Sequence, residues 1–334
     1  MPVTIKDIAR ESAVNVSTVS RALSGSYGVH AKTRAHVLAV AARLNYRPNR
    51  VARGLATGRS HTLGLIVSDI RNPFFAEVAR GAEDAARAGG CDLILCNSDL
   101  DAEKQMRYVR SLLEMRVDGI MMNSVATLER EHLHQLATCT VPIVLLNRTA
   151  PEKLFSTVNA DNEAGGVIAA EYLLRLGHRR IAHLSGPRRH GNMTDRARGF
   201  ARVINGNASA KLTLIRGENT FAGGYELAKE LLQQKPEPTA IFAASDLMAF
   251  GVLRAMIELG RRVPEDISVL GFDDIELAGV VQPPLSTIRQ PKYELGKAAA
   301  EILLAHSGDK SKRGIEHRTF GVELVERKSC RTLP

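Results

Sequence analysis

Four polar clusters stand behind apolar runs of this 334-residue chain. Asn72-Pro73-Phe74-Phe75 follows TLGLIV, Asn147-Arg148 follows PIVLL, Ser245-Asp246 follows TAIFAA, and Asp273-Asp274 follows ISVLGF. Amides, carboxylates, a guanidinium and phenyl rings bind and orient a ligand; they are not a nucleophile with its base. Any one cluster could be only a cap or a turn. In open α/β sheets, however, ligands bind beyond the carboxyl ends of strands, so the four together favour a site. No GxGxxG, Walker loop, HExxH or GxSxG occurs, which argues against an α/β enzyme such as a sugar kinase or a dehydrogenase. His132 and His134 lie two apart, on different faces of a helix, and read as solvated histidines and not a metal pair. Cys91, Cys96, Cys139 and Cys330 form no CxxC pair and read as buried, reduced thiols rather than zinc ligands or disulfides. No cofactor and no metal is expected.

A second group lies in Thr4 to Leu23, TIKDIARESAVNVSTVSRAL. Thr4 and Asp7 have capping-box spacing, so a helix should start near Ile5, with Ile5, Ile8, Ala9 and Ser12 or Ala13 on one face to bury. Asn15 is a competent N-cap for a second helix from Val16 to about Leu23. Val19, Ala22 and Leu23 would face inward, leaving Val16, Ser17, Ser20 and Arg21 on or near the outside. Two short helices with a tight turn form a helix-turn-helix, whose second helix can enter a major groove. A pair of ordinary surface helices would look similar, and charge decides between them. Residues 1–60 carry ten Lys and Arg against two acids, whereas the rest of the chain is nearly balanced. A local basic excess is what phosphate binding requires, because each neutralised phosphate releases counterions.

These residues need a scaffold. A third helix from about Ala31 to Leu44, with Val37, Val40, Ala41 and Leu44 inward, would close a three-helix head. Asn49 to Ala56 could form a helix of barely two turns, marginal alone in water and weakened by Gly54. From Thr62 apolar runs (TLGLIV, CDLILC, GIMM, PIVLL, RIAHL, TAIFAA, ISVLGF) alternate with helical stretches such as Phe74–Ala88, Ala102–Met115 and Glu163–Leu176. That pattern implies α/β architecture with parallel sheets covered on both faces, long enough for two units in tandem. The N-terminus has no apolar signal segment and no run approaches a membrane span, so a cytoplasmic protein is expected.

The runs TIKDIA, VSTVSRAL and LNYRPNRVARGLATGRS resemble the DNA-binding head and hinge of the lactose and purine repressor family. Ala13 stands where that family usually has Gly in the turn, and is strained if the turn needs a positive φ; Asn15 stands where it usually has Ser. The stretch Thr62 to Val325 resembles the two-lobed periplasmic sugar-binding-protein fold of the same repressors, through RNPFF, NADNEAGG, LGHRRIAHLSGP, DRARGF, ASDLMAFG, ISVLGFDDIELA and PPLSTIRQPKYELG. Its tail is similar to ribose repressors. The resemblance implies residues 1–48 as the DNA-binding domain, 49–60 as hinge helix and linker, and 61–334 as the effector-binding and dimerisation domain. It implies operator contacts from Thr4, Asn15, Val16, Ser17, Thr18, Ser20, Arg21, Asn49, Arg53 and Leu55, the last as a minor-groove wedge. It also implies a pentose site of Asn72, Phe74, Phe75, Asn147, Arg148, Arg196, Phe221, Ser245, Asp273 and Gln290. Asn147 replaces an aspartate common in ribose binders and Ser245 an asparagine, which leaves the sugar open. The expected protein is a homodimeric repressor on a palindromic operator, controlled by a monosaccharide. The alternatives are a purine or sugar phosphate as effector, or a solute-binding protein, which would have no use for the basic head. The segment after the last strand lacks a leucine heptad, so dimers rather than tetramers are expected.

Overall fold

The computed structural model describes residues 3–25, 27–46, 59–123, 130–147, 154–188, 190–233, 237–306 and 314–334. The chain divides into two compact units, residues 1–60 and 61–334.

The first unit is built from α1 (Ile5–Ser12), α2 (Val16–Leu23) and α3 (Ala31–Arg43). Thr4 starts α1 by accepting from the Asp7 amide, while Asp7 accepts from the Thr4 amide at 2.9 Å. This reciprocal pair satisfies two amides that a helix start leaves unpaired. Ile8, Ala9, Val19, Ala22, Val37, Val40 and Ala41 form one apolar cluster, with Leu23, Leu44 and Tyr46 packed against it. The apolar faces read from 3.6-residue periodicity are therefore the ones buried.

The second unit holds two six-stranded sheets. The first lobe contains β1 (Thr62–Val67), α4 (Phe74–Ala88), β2 (Asp92–Asn97), α5 (Ala102–Glu114), β3 (Gly119–Asn123), α6 (Arg130–Ala137), β4 (Ile143–Leu146) and β5 (Ser156–Ala160). The chain then enters the second lobe, with α7 (Asn162–Arg175), β6 (Arg180–Ser185), α8 (Gly191–Asn205), β7 (Lys211–Arg216), α9 (Phe221–Gln233), β8 (Ala240–Ala243), α10 (Asp246–Glu258), β9 (Ser268–Asp273) and β10 (Ser286–Arg289). Helix α11 (Lys292–His306) and β11 (His317–Phe320) return to the first lobe, and β12 (Glu323–Val325) ends in the second. Strand orders are β11-β5-β4-β3-β1-β2 and β12-β10-β9-β8-β6-β7. Every pairing is parallel except β10 with β12. The chain thus passes between lobes after β5, after β10 and between β11 and β12.

Each of the seven apolar runs contains a strand. Strands β5, β7, β10, β11 and β12 lie outside those runs. β7, β11 and β12 are sheet edges with half-exposed, mixed-polarity residues, and β5 buries Ser156 and Thr157 in place of aliphatic side chains. Hydropathy does not mark such strands. In the second lobe α7 and α8 pack with Gly166 against the Arg196 carbonyl and Gly199 against the Glu163 carbonyl. No helix among the described residues is long and apolar enough to cross a membrane.

Candidate effector cleft and nucleic-acid surface

A cavity of about 400 Å³ lies in the second unit, within the range of small-molecule sites. Its walls come from the carboxyl ends of strands in both lobes: Ser68, Asp69 and Asn72 beyond β1, Asn123 on β3, Asn147 after β4, His190 and Asn192 beyond β6, Asn219 and Thr220 beyond β7. Asp273 closes β9 and Gln290 follows β10. The strand-end rule, applied to every apolar run and not to four, would have found Asn123 as well, whereas Asn219 follows β7, which hydropathy does not mark, and Asn192 lies on α8.

Arg196 anchors this cleft. It projects from α8, is 2% exposed, donates from Nε to Asn162 Oδ1 at 2.8 Å and from Nη1 to the Ala244 carbonyl, and lies with Cζ 3.7 Å from the Phe272 ring centroid. Its Nη2 stands 3.6 Å from Asp273 Oδ1. Burial lowers the guanidinium's pKa from the ordinary value, opposed by Asp273, Asp246 and Asp195. Burial also raises the Asp273 carboxyl, opposed by Arg196, Gln290 and Lys292. A buried charge this closely held needs its partners, because water no longer solvates it.

An amide relay joins the lobes. Asn147 donates to Gln290 Oε1 at 3.3 Å, and Gln290 donates to Asp273 Oδ1 at 2.6 Å. Asn147 Oδ1 accepts from the Ala160 amide at 3.0 Å. Asn147 has φ +48° and Asp273 φ +117°, conformations that side-chain-bearing residues rarely adopt. Phe74 and Phe75 meet edge to face, 5.2 Å apart at 88°, and Phe221 on α9 remains 47% exposed in the cavity wall.

Of the residues expected in this site, Asn72, Phe74, Phe75, Asn147, Arg196, Phe221, Asp273 and Gln290 line the cavity. Arg148 lies outside the described residues. Ser245 does not reach the wall. It is fully buried, caps α10 by accepting from the Met248 amide at 3.3 Å, and hydrogen-bonds Asn219 Oδ1. A serine between a strand and a helix satisfies the helix start first, and the cleft receives the Asn219 that it holds. Asp246 and Asp274 are structural too. Asp246 accepts from the Ile275 amide at 2.9 Å and Thr287 Oγ1 at 2.6 Å, while Asp274 pairs with Arg289 and Arg327.

In the first unit, Thr4, Asn15, Ser17, Ser20 and Arg21 are exposed, Thr18 half-buried, and Val16 43% exposed. Asn15 occupies the N-cap position, but its side chain makes no capping bond, contrary to its expected role. The chain enters α2 with Asn15 at φ −66° and ψ 148°, and the first-turn amides lack a side-chain cap. Ala13 adopts φ +54° and ψ +35° in the turn, the left-handed conformation that favours glycine. Replacing Ala13 with Gly should therefore stabilise the head by about 0.5–1 kcal/mol. Calorimetry of the full chain would show its head transition moving upward; a downward move would mean that the turn carries no such strain. Asn49, Arg53 and Leu55 lie outside the described residues.

Residues 4–49 match the family of bacterial regulatory proteins of lacI type, and residues 170–330 match a periplasmic binding protein-like domain. The HTH-type transcriptional repressor PurR of Photobacterium profundum is 37% identical, over 99% of each chain. A Lac repressor dimer bound to operator and an anti-inducer superposes with a TM-score of 0.88 at 31% identity, covering 99% of this chain and 100% of that one. A LacI family regulator from Enterococcus faecalis V583 with bound ribose has a TM-score of 0.74 at 34% identity, covering 82% of this chain and all of its own. The protein belongs to the lacI family: it is a transcriptional repressor built on a helix-turn-helix and a periplasmic-binding-like core, and not an enzyme.

Proposed function

We propose that the protein binds a pseudo-palindromic operator as a homodimer and that a small, uncharged, polyhydroxylated effector, with a pentose such as ribose favoured, occupies the cleft and controls operator affinity. The composition of the cleft carries this reading. Five asparagines and Gln290 line it, and its two carboxylates, Asp69 and Asp273, balance its two guanidiniums, Arg71 and Arg196. Amides both donate and accept, as hydroxyls do, so a ring of amides can saturate a sugar from several sides while phenyl rings cover its C–H faces. A phosphate would need surplus positive charge, and Arg196 is already committed to Asp273. Identity to PurR and to the ribose-bound regulator is similar, so it does not discriminate, and the sugar is favoured on the chemistry of the cleft alone.

For the head, residues 1–48 are assigned to DNA reading, 49–60 to the link, and 61–334 to sensing and dimerisation. Val16, Ser17 and Arg21 are assigned to base edges, and Thr4, Asn15, Thr18 and Ser20 to phosphates and the turn, with Asn49 and Arg53 as further DNA contacts and Leu55 as the minor-groove wedge. The uncapped start of α2 supports this, because helix-start amides favour phosphate oxygens. Arg21→Ala should cost about 1–3 kcal/mol on operator and relax specificity at one base pair. Equal weakening on operator and on random DNA would make Arg21 a phosphate contact.

The regulatory half is tested by calorimetric titration of ribose with and without operator. Coupling between two sites is reciprocal, and about 1–3 kcal/mol makes a useful switch, so operator should change ribose affinity about 5- to 150-fold. Ribose bound equally with and without operator would remove the cleft from control of the head. Absence of ribose binding, with a purine bound instead, would replace the sugar.

A further inference from the structure

The first lobe carries a second cluster at the opposite end of its strands from the cleft. His61, Cys91 and Asp118 each stand one residue before a strand, β1, β2 and β3 respectively. These strands are neighbours in the sheet, β2-β1-β3, with Thr62 paired to Asp92 and Leu63 to Gly119. By this register Cys91 is level with His61 and Asp118 stands one step further along, level with Thr62, and adjacent parallel strands only about 4.8 Å apart keep all three close. One ligand atom from each, imidazole nitrogen, thiol sulfur and carboxylate oxygen, falls within 4.8 Å of the other two. No sequence motif signals this set, because the ligands are supplied by separate strands.

We propose that His61, Cys91 and Asp118 form a zinc site. The donor set is chemically specific: sulfur and imidazole select zinc over magnesium or calcium, and a carboxylate completes three protein ligands, leaving one position for water. The site is also oriented. Asp118 Oδ2 accepts the His61 backbone amide at 3.0 Å, the His61 carbonyl accepts from the Asp92 amide at 2.9 Å, and the Asp118 amide donates to the Thr62 carbonyl at 2.7 Å. These bonds tie the starts of the three strands together and hold the Asp118 carboxylate beside His61. Cys91 is buried and His61 exposed, so the site has a protected thiolate side and an open imidazole side through which the ion enters. On binding, the Cys91 thiol gives its proton to solvent and the sulfur coordinates as thiolate.

The test uses tag-free, full-length protein stripped with chelator and titrated with Co²⁺, which substitutes spectroscopically for zinc. One equivalent should produce a thiolate-to-cobalt charge-transfer band together with the visible bands of four-coordinate cobalt, and Zn²⁺ should bleach both by displacement. Cys91→Ser should abolish the charge-transfer band. His61→Ala, at an exposed position, should weaken Co²⁺ and Zn²⁺ binding by more than about tenfold while leaving the circular dichroism spectrum unchanged. The proposal is overturned if no charge-transfer band appears in the wild type. It is overturned equally if the band survives Cys91→Ser, or if His61→Ala leaves the affinity unchanged.

Discussion

Replacing Arg196 with Met should destabilise the core by about 3–5 kcal/mol near neutral pH and abolish effector binding, because a shorter apolar chain leaves the buried Asp273 without its cation. The pH dependence separates this cause from simple loss of packing. Burial raises the carboxyl of Asp273, and burial together with Asp273 raises that of Asp246 well above the ordinary value. A carboxyl raised in the folded state binds its proton more readily folded than unfolded. Its contribution favours folding below the ordinary carboxylate pKa and is lost as pH rises through the raised folded value. Arg196 opposes that rise at Asp273, and removing it should lift the carboxyl further. The difference in unfolding free energy between wild type and Arg196→Met should therefore be largest at neutral and alkaline pH and shrink toward acid as the carboxyls protonate. Urea unfolding at a series of pH values measures this. A difference independent of pH would show that Arg196 acts through its contacts with Phe272, Asn162 and Ala244 and not as the counter-charge.

The same residues show where sequence reasoning reaches and where it stops. The head is legible because its determinants are local: Thr4 and Asp7 are three residues apart, and the buried faces of α1, α2 and α3 repeat with helical period. The cleft is legible in outline because strand ends converge by topology, which placed Asn72, Asn147 and Asp273 together, whereas Gln290 came only through the family resemblance. Two kinds of information were not local. Ser245, Asp246 and Asp274 carry the same chemistry as true wall residues, and only three-dimensional pairing shows that they hold Asn219, Ile275 and Arg327 instead. Asn15 likewise has capping chemistry without the capping bond. The edge strands β7, β11 and β12 could not be read from hydropathy, since a half-solvated strand has no reason to be apolar.

Gly166→Ala should reach the effector site through the backbone. A Cβ added at Gly166 would lie 2.1 Å from the Arg196 carbonyl oxygen and 2.8 Å from the Phe200 amide nitrogen, and neither is the end of a flexible side chain. The helices are locked from the other side as well, since a Cβ at Gly199 would lie 2.1 Å from the Glu163 carbonyl oxygen. α7 and α8 must therefore separate to admit one methyl group, and overpacking of this kind costs about 1–3 kcal/mol. The gain in helix propensity from Gly to Ala, about 1 kcal/mol, offsets only part of the clash. Separation carries Arg196 away from both Asn162, on α7, and Asp273, at the end of β9, and so displaces the guanidinium in the cleft wall. A lower unfolding midpoint accompanied by at least about tenfold weaker effector binding, measured well below that midpoint, is the expected pair of results. Lost stability with unchanged effector affinity would show that the cleft tolerates movement of α8, and that Arg196 is held by Phe272 and the Ala244 carbonyl instead of by the close crossing of α7 and α8.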